Sequence, residues 1–498
     1  MTLRRWLEIV PGSLVWLTFI LMIVGSIYFP VYVAIFIIIF DIYWFLKTLI
    51  LSAYLGHTFR IMKKNMEIDW LGRVKDLDGW SDIYHLVLFP MYDEPYEVVK
   101  ETFEKLLKAN YPLDKLIVVL GTEERAGQDA AEVGRRIREE FGPKFHTLLV
   151  TDHPKNLEGE IPGKGSNQAW MAKEAQNEVI DKAGIDYGKI LVSVFDVDTQ
   201  IYKEYFGKLT EAYLTAEDRD RASYQPIPLF NNNILEAPAF ARVVSFSASL
   251  WQMIQQARQE QLTTFSSHAM PFKALVEIGF WHKDIVSEDS RIFWQLFTHY
   301  DGHWRVVPLH YPVSMDANVV PSFWKTMVNI YKQQRRWAWG SENISFLVSS
   351  FIKNKKIALR KKLFWSFYTI ESFHSWATNS ILIFALGWLP LFLGGDAFNE
   401  SLLSFNLPRV TQNILSFASI GIAVSAILGI ILLPPKPKWF KWYHYFLYLA
   451  QWILLPFTMI LLGSVPATEA QTRLLLGGRW RLGFWVTPKS RHSKQKKN

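Results

Sequence analysis

Residues 14–29 and 31–51 are two nearly unbroken apolar runs separated by little more than Pro30, each about long enough to cross a hydrocarbon core as a helix. They read as a hairpin. Arg4 and Arg5 before the first run, and Arg60, Lys63 and Lys64 after the second, place both ends on the cytosolic side. A second span follows at once and no small-residue cleavage site separates the two, which argues against a removable leader. Asp41, at that depth, is expected to face protein. Three further apolar runs, 363–393, 414–433 and 443–465, lie toward the other end, the last two joined by the basic turn Pro434-Pro435-Lys436-Pro437-Lys438. Two spans plus three leave the basic tail outside, whereas its charge favours the inside. One segment is therefore re-entrant or interfacial, or the 363–393 run is broken.

Between these ends the pattern changes. Strand-like runs at 83–89, 116–120, 147–150 and 190–195 alternate with helical periodicity, first in a helix burying Val98, Val99, Phe103, Leu106 and Leu107, then over 130–141 and 167–182. Such alternation predicts a parallel sheet with helices on both faces and right-handed crossovers. Beyond Arg219 the periodicity loosens. Tyr224-Gln225-Pro226 is expected to end a strand and 246–261 to form a helix, followed by the polar loop Thr264-Phe265-Ser266-Ser267-His268. A helix over 291–298 comes next, with Ser287 placed to cap it. Residues 321–340 read as one amphipathic helix rich in Trp and Arg, suited to lying at headgroup level.

Composition sharpens this picture. Half of the residues are hydrophobic, concentrated at the two ends, and 21 Trp suit membrane interfaces and sugar stacking alike. With no cysteine, disulfides and thiolate metal sites are excluded, leaving oxygen or imidazole for any metal. The net charge of +8 gathers in Lys353, Lys355, Lys356, Arg360, Lys361 and Lys362 and again after Glu469. Both clusters adjoin apolar runs, so they mark a cytosolic membrane face rather than a nucleic-acid partner.

Candidate chemistry lies in three places. Asp196 and Asp198 fall where the 190–195 strand ends, the edge at which open α/β sheets bind ligands, so they are placed to hold a divalent cation; a solvated acidic loop is the plainer alternative. Glu288 and Asp289 precede a helix, where acids also simply complement the helix dipole. Gln333, Arg336 and Trp337, at i, i+3 and i+4, share one helix face and offer an amide, a guanidinium and a flat ring together.

Asp196-Val197-Asp198, Ser287-Glu288-Asp289 and Gln333-x-x-Arg336-Trp337, with Pro90-Met91-Tyr92-Asp93-Glu94-Pro95 and Gly163-Lys164-Gly165, resemble in order and spacing the motifs of membrane-embedded, processive family 2 glycosyltransferases, the cellulose and hyaluronan synthase type. The resemblance implies an α/β GT-A (Rossmann-like) cytosolic catalytic domain between transmembrane helices, a nucleotide-sugar donor, a glycan acceptor, and Mg²⁺ or Mn²⁺. It assigns Asp198 to the metal, Asp196 to the donor, Asp289 to the general base with Glu288 beside it, Gln333 and Arg336 to the donor diphosphate, and Trp337 to the acceptor end. Lys164 is a further cation for the phosphates. Where relatives carry Asp-Asp-Gly, this chain has Gly121-Thr122-Glu123-Glu124, so Glu123 or Glu124 stands in the base-contacting place and the nucleotide is open. His268 stands where small residues are common, in the loop expected to meet the acceptor.

The expected organisation is a transmembrane hairpin over 1–59, a catalytic domain over 60–320, an interfacial helical region over 321–362, transmembrane helices over 363–466 and a basic cytosolic tail over 467–498, in an integral protein of the plasma membrane. Glu371, His374, Ser375 and Asn379, on one stripe of the 363–393 run, either line an export path or meet the basic cluster near the interface. Transfer of a single sugar to a lipid-linked or glycolipid acceptor is the competing enzyme reading, separated by product length. A pseudo-transferase acting as scaffold or transporter comes third, because every acid of the site is present.

Overall fold

The computed structural model describes residues 2–483 and residue 485. Its α/β domain is built on one eight-stranded sheet comprising β1 (Tyr84–Pro90), β2 (Leu116–Glu123), β3 (Thr147–His153), β4 (Ile190–Val194), β5 (Gln200–Ile201), β6 (Ala222–Phe230), β7 (Ala269–Pro271) and β8 (Arg305–Met315). The order is β3-β2-β1-β4-β7-β6-β8-β5. β3, β2, β1 and β4 run parallel, as the alternation predicts. The remainder is mixed: β7 is antiparallel to both β4 and β6, and β5 is antiparallel to β8. The expected purely parallel sheet thus holds for half of it, because the short β7 arrives from a loop rather than through a crossover helix.

Strand alternation builds two cores. Val87, Phe89, Val118, Leu120 and Leu191 point to the face covered by the helices Tyr96–Leu106, Gln128–Phe141 and Tyr205–Thr215. Leu86, Leu88, Ile117, Val119, Val192 and Val194 point to the other, under Lys164–Ala175 and Glu288–His299. Central strands buried on both sides explain why their sequences read as continuous apolar runs. β6 does not end at Pro226 but continues to Phe230, since the residue lacking an N–H falls at a register break in the pairing with β8, between Gln225 and Ile227. The 246–261 helix in fact spans Ala239–Gln256, so its apolar face begins a full two turns earlier.

The helices Leu3–Tyr28 and Pro30–Met66 form the expected hairpin, the second running on well past its apolar part. Among the described residues four helices are long and apolar enough to cross a membrane, Leu3–Tyr28, Pro30–Met66, Leu402–Ile431 and Trp442–Leu476. The 363–393 run is broken: Leu359–Phe384 meets Leu386–Leu393 at 49°, a fifth span or a re-entrant segment. Large side chains such as Leu17, Ile20, Leu21, Ile39 and Phe417 face outward from these helices, which suits lipid. The last helix carries the chain to Leu476, ten residues into the stretch expected as tail, and most of the remaining basic tail lies outside the described residues.

Candidate active site

β4 ends at Val194, and Asp196, Val197 and Asp198 follow where the central strand stops. β7 pairs beside it, so the loop Thr264–His268 that leads into β7 lies along the same edge. Gln225 fixes that loop by donating to the Ser266 carbonyl (3.0 Å) and accepting from the Phe265 N–H (2.8 Å). Thr264 Oγ1 in turn donates to the carbonyl of Asp289 (2.6 Å), bringing the second acid pair to the end of β4.

Lys164 joins the pieces. It begins the helix Lys164–Ala175, and its Nζ lies 2.8 Å from Asp196, 3.0 Å from Asp289 and 3.9 Å from Glu288. Burial alone would lower its basicity, but the charges of Asp196, Asp289 and Glu288 outweigh that and raise it, so the side chain is a fixed ammonium. Glu288 is buried, and burial together with the Asp289 charge pushes its carboxyl up to about 8, against the lowering pull of Lys164 and Arg336. The two helices meet closely at this point. A Cβ on Gly165 would lie 3.1 Å from Cβ of Glu288, which is why glycine follows the lysine.

Asp198 occupies a second corner. It is 1% exposed, and its carboxylate accepts from the Asp316 N–H (3.1 Å) just beyond β8. Asn232 bridges the Asp198 carbonyl (3.0 Å) and the Asp316 carboxylate (2.9 Å). Asp316 and Asn232 escaped the sequence reading, although the run Asn231-Asn232-Asn233 after a strand was a signal that could have been weighed. Among the described residues no group of three or more His, Asp or Glu side chains is arranged to enclose a metal. A hard dication nevertheless fits this carboxylate corner, because such ions are commonly held by one or two carboxylates together with substrate phosphates.

The helix Phe323–Ala338 supplies the third motif. Trp337 packs against Phe230 and Phe265, at 6.0 and 5.8 Å between ring centres, so it sits at the end of β6 and over the loop before β7. Arg336 is close enough to Glu288 to act on its charge, and Gln333 accepts from Asn318 (3.4 Å). The opposite side of the helix docks on the last membrane helix through Tyr331 and Arg335, which bond Glu469 at 2.7 and 2.6 Å.

Other expected residues fall differently. Glu123 is the last residue of β2 but is clamped by Arg125 (2.5 and 3.2 Å), whose guanidinium stacks on Tyr92. Glu124 turns outward to Lys155. His268 is fully buried beneath the site, 3.9 Å from Asp289, with Nδ1 on the Phe265 carbonyl (2.9 Å) and burial lowering its basicity; it presents no surface to an acceptor. Ser287 stands at the expected N-cap position, yet its hydroxyl does not cap the helix. It donates instead to Glu342 (2.9 Å). In the membrane part, Glu371 pairs with Lys47 (3.6 Å) and Ser375 (2.7 Å), and His374 with Thr18 (2.9 Å).

The chain matches a known family and several named proteins. The family model described as glycosyl transferase family group 2 matches residues 191–462. The poly-beta-1,6-N-acetyl-D-glucosamine synthase of Staphylococcus aureus (strain COL) is 22% identical over 332 residues, 66% of this chain and 67% of that protein. The Staphylococcus epidermidis synthase of the same name is 24% identical over 278 residues, 55% of this chain and 58% of its own. Among solved structures, the mannosyltransferase PcManGT from Pyrobaculum calidifontis, in complex with GDP-Man and Mn²⁺, covers 76% of this chain and 99% of its own, at 13% identity and a TM-score of 0.41. Since the family match takes in more than half of the sequence, including both acid pairs and the Gln333–Trp337 face, the chain belongs to glycosyl transferase family group 2 and is a glycosyltransferase.

Proposed function

We infer that this protein is an inverting polymer-forming transferase. It moves a sugar from a nucleotide-sugar donor, a UDP-sugar in our reading, to the end of a growing polysaccharide at the cytosolic face of the plasma membrane, and couples elongation to export. One observation carries the reading: the acids of two separate motifs, Asp196 and Asp289, converge on Lys164 at the end of the central strand. Similarity to synthases of a β-1,6-linked amino-sugar polymer supports the polymer as product.

Sugar transfer with inversion needs a base for the acceptor hydroxyl, charge stabilisation on the departing diphosphate, and alignment of the two reactants. Asp289 takes the proton. Lys164 and Arg336 meet the developing phosphate charge, with Gln333 hydrogen-bonding the same group. Trp337, braced by two phenyl rings, offers a stacking surface for the acceptor sugar and so orients its hydroxyl. Asp198 would hold Mg²⁺ or Mn²⁺, which supplies Lewis-acid stabilisation of the leaving diphosphate, and Asp196 contacts the donor.

The test is turnover by purified protein against a panel of nucleotide sugars, reading released nucleotide and product length. Asp289→Asn is expected to lower transfer by roughly 10²–10⁴-fold while donor binding persists. A variant that still polymerised at near-normal rate would remove the base assignment, and products of a single added sugar would replace the polymer with a lipid-linked acceptor.

A further inference from the structure

The first turn of the helix Glu288–His299 has two sides, and only one faces the reaction. Glu288 and Asp289 project toward Lys164. Ser287, Ser290 and Arg291, at i, i+3 and i+4, lie on the other face. That face is fastened to residues just beyond the Gln333–Trp337 motif. Ser287 Oγ donates to Glu342 (2.9 Å), and Trp339 bonds the same carboxylate. Asn343 Nδ2 donates to Ser290 Oγ (2.9 Å) and to Ser287 Oγ (3.4 Å). Arg291 Nε donates to Asn343 Oδ1 (2.6 Å), and its guanidinium also stacks over Phe346.

Every polar member of this cluster except the two serines and Trp339 is a long side chain or amide taken out of water. Arg291, Glu342 and Asn343 are 3%, 6% and 1% exposed. A buried network of this kind is costly unless its members are satisfied, and when satisfied it allows few alternative geometries. The helix Glu342–Lys353 that carries it follows directly on the helix whose far side docks to the last membrane helix.

The geometry points to Asn343 and Glu342 as positioning residues for the proposed base: they hold the Ser287–Arg291 turn in one rotation, so that Asp289 meets Lys164 and the acceptor hydroxyl. This rests on the reading of Asp289 as the base. It accounts for the uncapped helix end, since the Ser287 hydroxyl is turned toward Glu342 and Asn343 rather than toward the first N–H groups of the helix. It also links the acid motif physically to the Gln-x-x-Arg-Trp motif, because the turn and the Trp337 platform are set by one continuous segment.

The experiment compares Asn343→Leu, which keeps the branched shape, adds bulk and deletes all three bonds, with Asn343→Asp, which keeps the acceptor for Arg291 but loses the two donations to the serines, whose own protons go to Glu342 and to the Ser287 carbonyl. Full-length protein in detergent is assayed for kcat, donor KM and nucleotide affinity. Since a misplacement of about 1 Å costs on the order of 100-fold in rate, Asn343→Leu should lose roughly 10- to 100-fold in kcat with donor KM and nucleotide affinity changed less than about twofold. Asn343→Asp, which retains the Arg291 bond, should recover part of that loss. Should Asn343→Leu fail to accumulate, Ser287→Ala, a change of one hydroxyl, is expected to show the same split between kcat and KM at smaller size. The inference is overturned if kcat and donor affinity fall together, if Asn343→Asp is as impaired as Asn343→Leu, or if both turn over at the wild-type rate. Absence of transfer by the wild-type protein on every donor would instead overturn the functional reading beneath it.

Discussion

Lys164→Met tests the electrostatic heart of the site. The substitution keeps the length of the side chain and removes the ammonium that three carboxyl groups share. Deleting one partner from a buried charge cluster typically costs about 3–5 kcal/mol, so a lower melting temperature is expected at any pH. The pH dependence is more telling. Lys164 stands 3.9 Å from Glu288, where an effective dielectric of about 20 gives an attraction of about 4 kcal/mol, or about three pH units. Burial and the Asp289 charge push Glu288 up to about 8 from its ordinary 4.5, so the folded state binds more protons than the unfolded chain between those values and loses stability as pH rises through that window. In wild type the decline ends near pH 8. In Lys164→Met the carboxyl is pushed higher still, so the decline should continue above pH 8 at about 1.4 kcal/mol per pH unit. Lysine's own titration does not enter this range, since its raised basicity keeps it charged throughout. Melting temperatures of both proteins in detergent, measured from pH 6 to 10, should therefore diverge progressively above pH 8. Parallel curves over that interval would refute the coupling of Lys164 to Glu288.

Three further outcomes are expected. Gly165→Ala places a methyl group 3.1 Å from the Glu288 side chain, an overpacking of about 1–3 kcal/mol, and should lower turnover while the protein stays folded; an unchanged rate would mean that the two helices separate freely. Asp198→Asn should raise the Mg²⁺ or Mn²⁺ concentration needed for half-maximal activity by tenfold or more, by order of magnitude for a lost metal ligand, and an unaltered metal titration counts against that corner. Replacing Glu371 and His374 by Leu removes their bonds to Lys47 and Thr18 and should impair export more than synthesis, with a modest loss of thermal stability; equal loss of both products would leave the stripe as a tie between helices.

The pattern of apolar positions by itself determined the membrane hairpin, the parallel half of the sheet and the placement of Asp196 and Asp198 at a strand end, because these depend on local period and on burial of both sheet faces. Motif order proposed which residues make up the site. The tertiary structure alone decided how they meet. That β6 runs through Pro226 follows from a register break in its pairing with a strand some eighty residues away, and the 363–393 run bends by 49° beside Gly387 and Pro390, a break that a count of apolar residues does not show. Ser287 has the sequence signature of a cap, but a buried carboxylate brought in by a distant helix takes its hydroxyl. His268 reads as a loop residue and is buried, because β7 draws its loop beneath Asp289. Lys164 reads as one phosphate-binding cation among several; only the approach of two helices and a strand end makes it the shared partner of three acids. Periodicity is a local property and survives in the sequence, whereas a charge cluster built from three separate segments exists only once long-range packing has closed the distances between them.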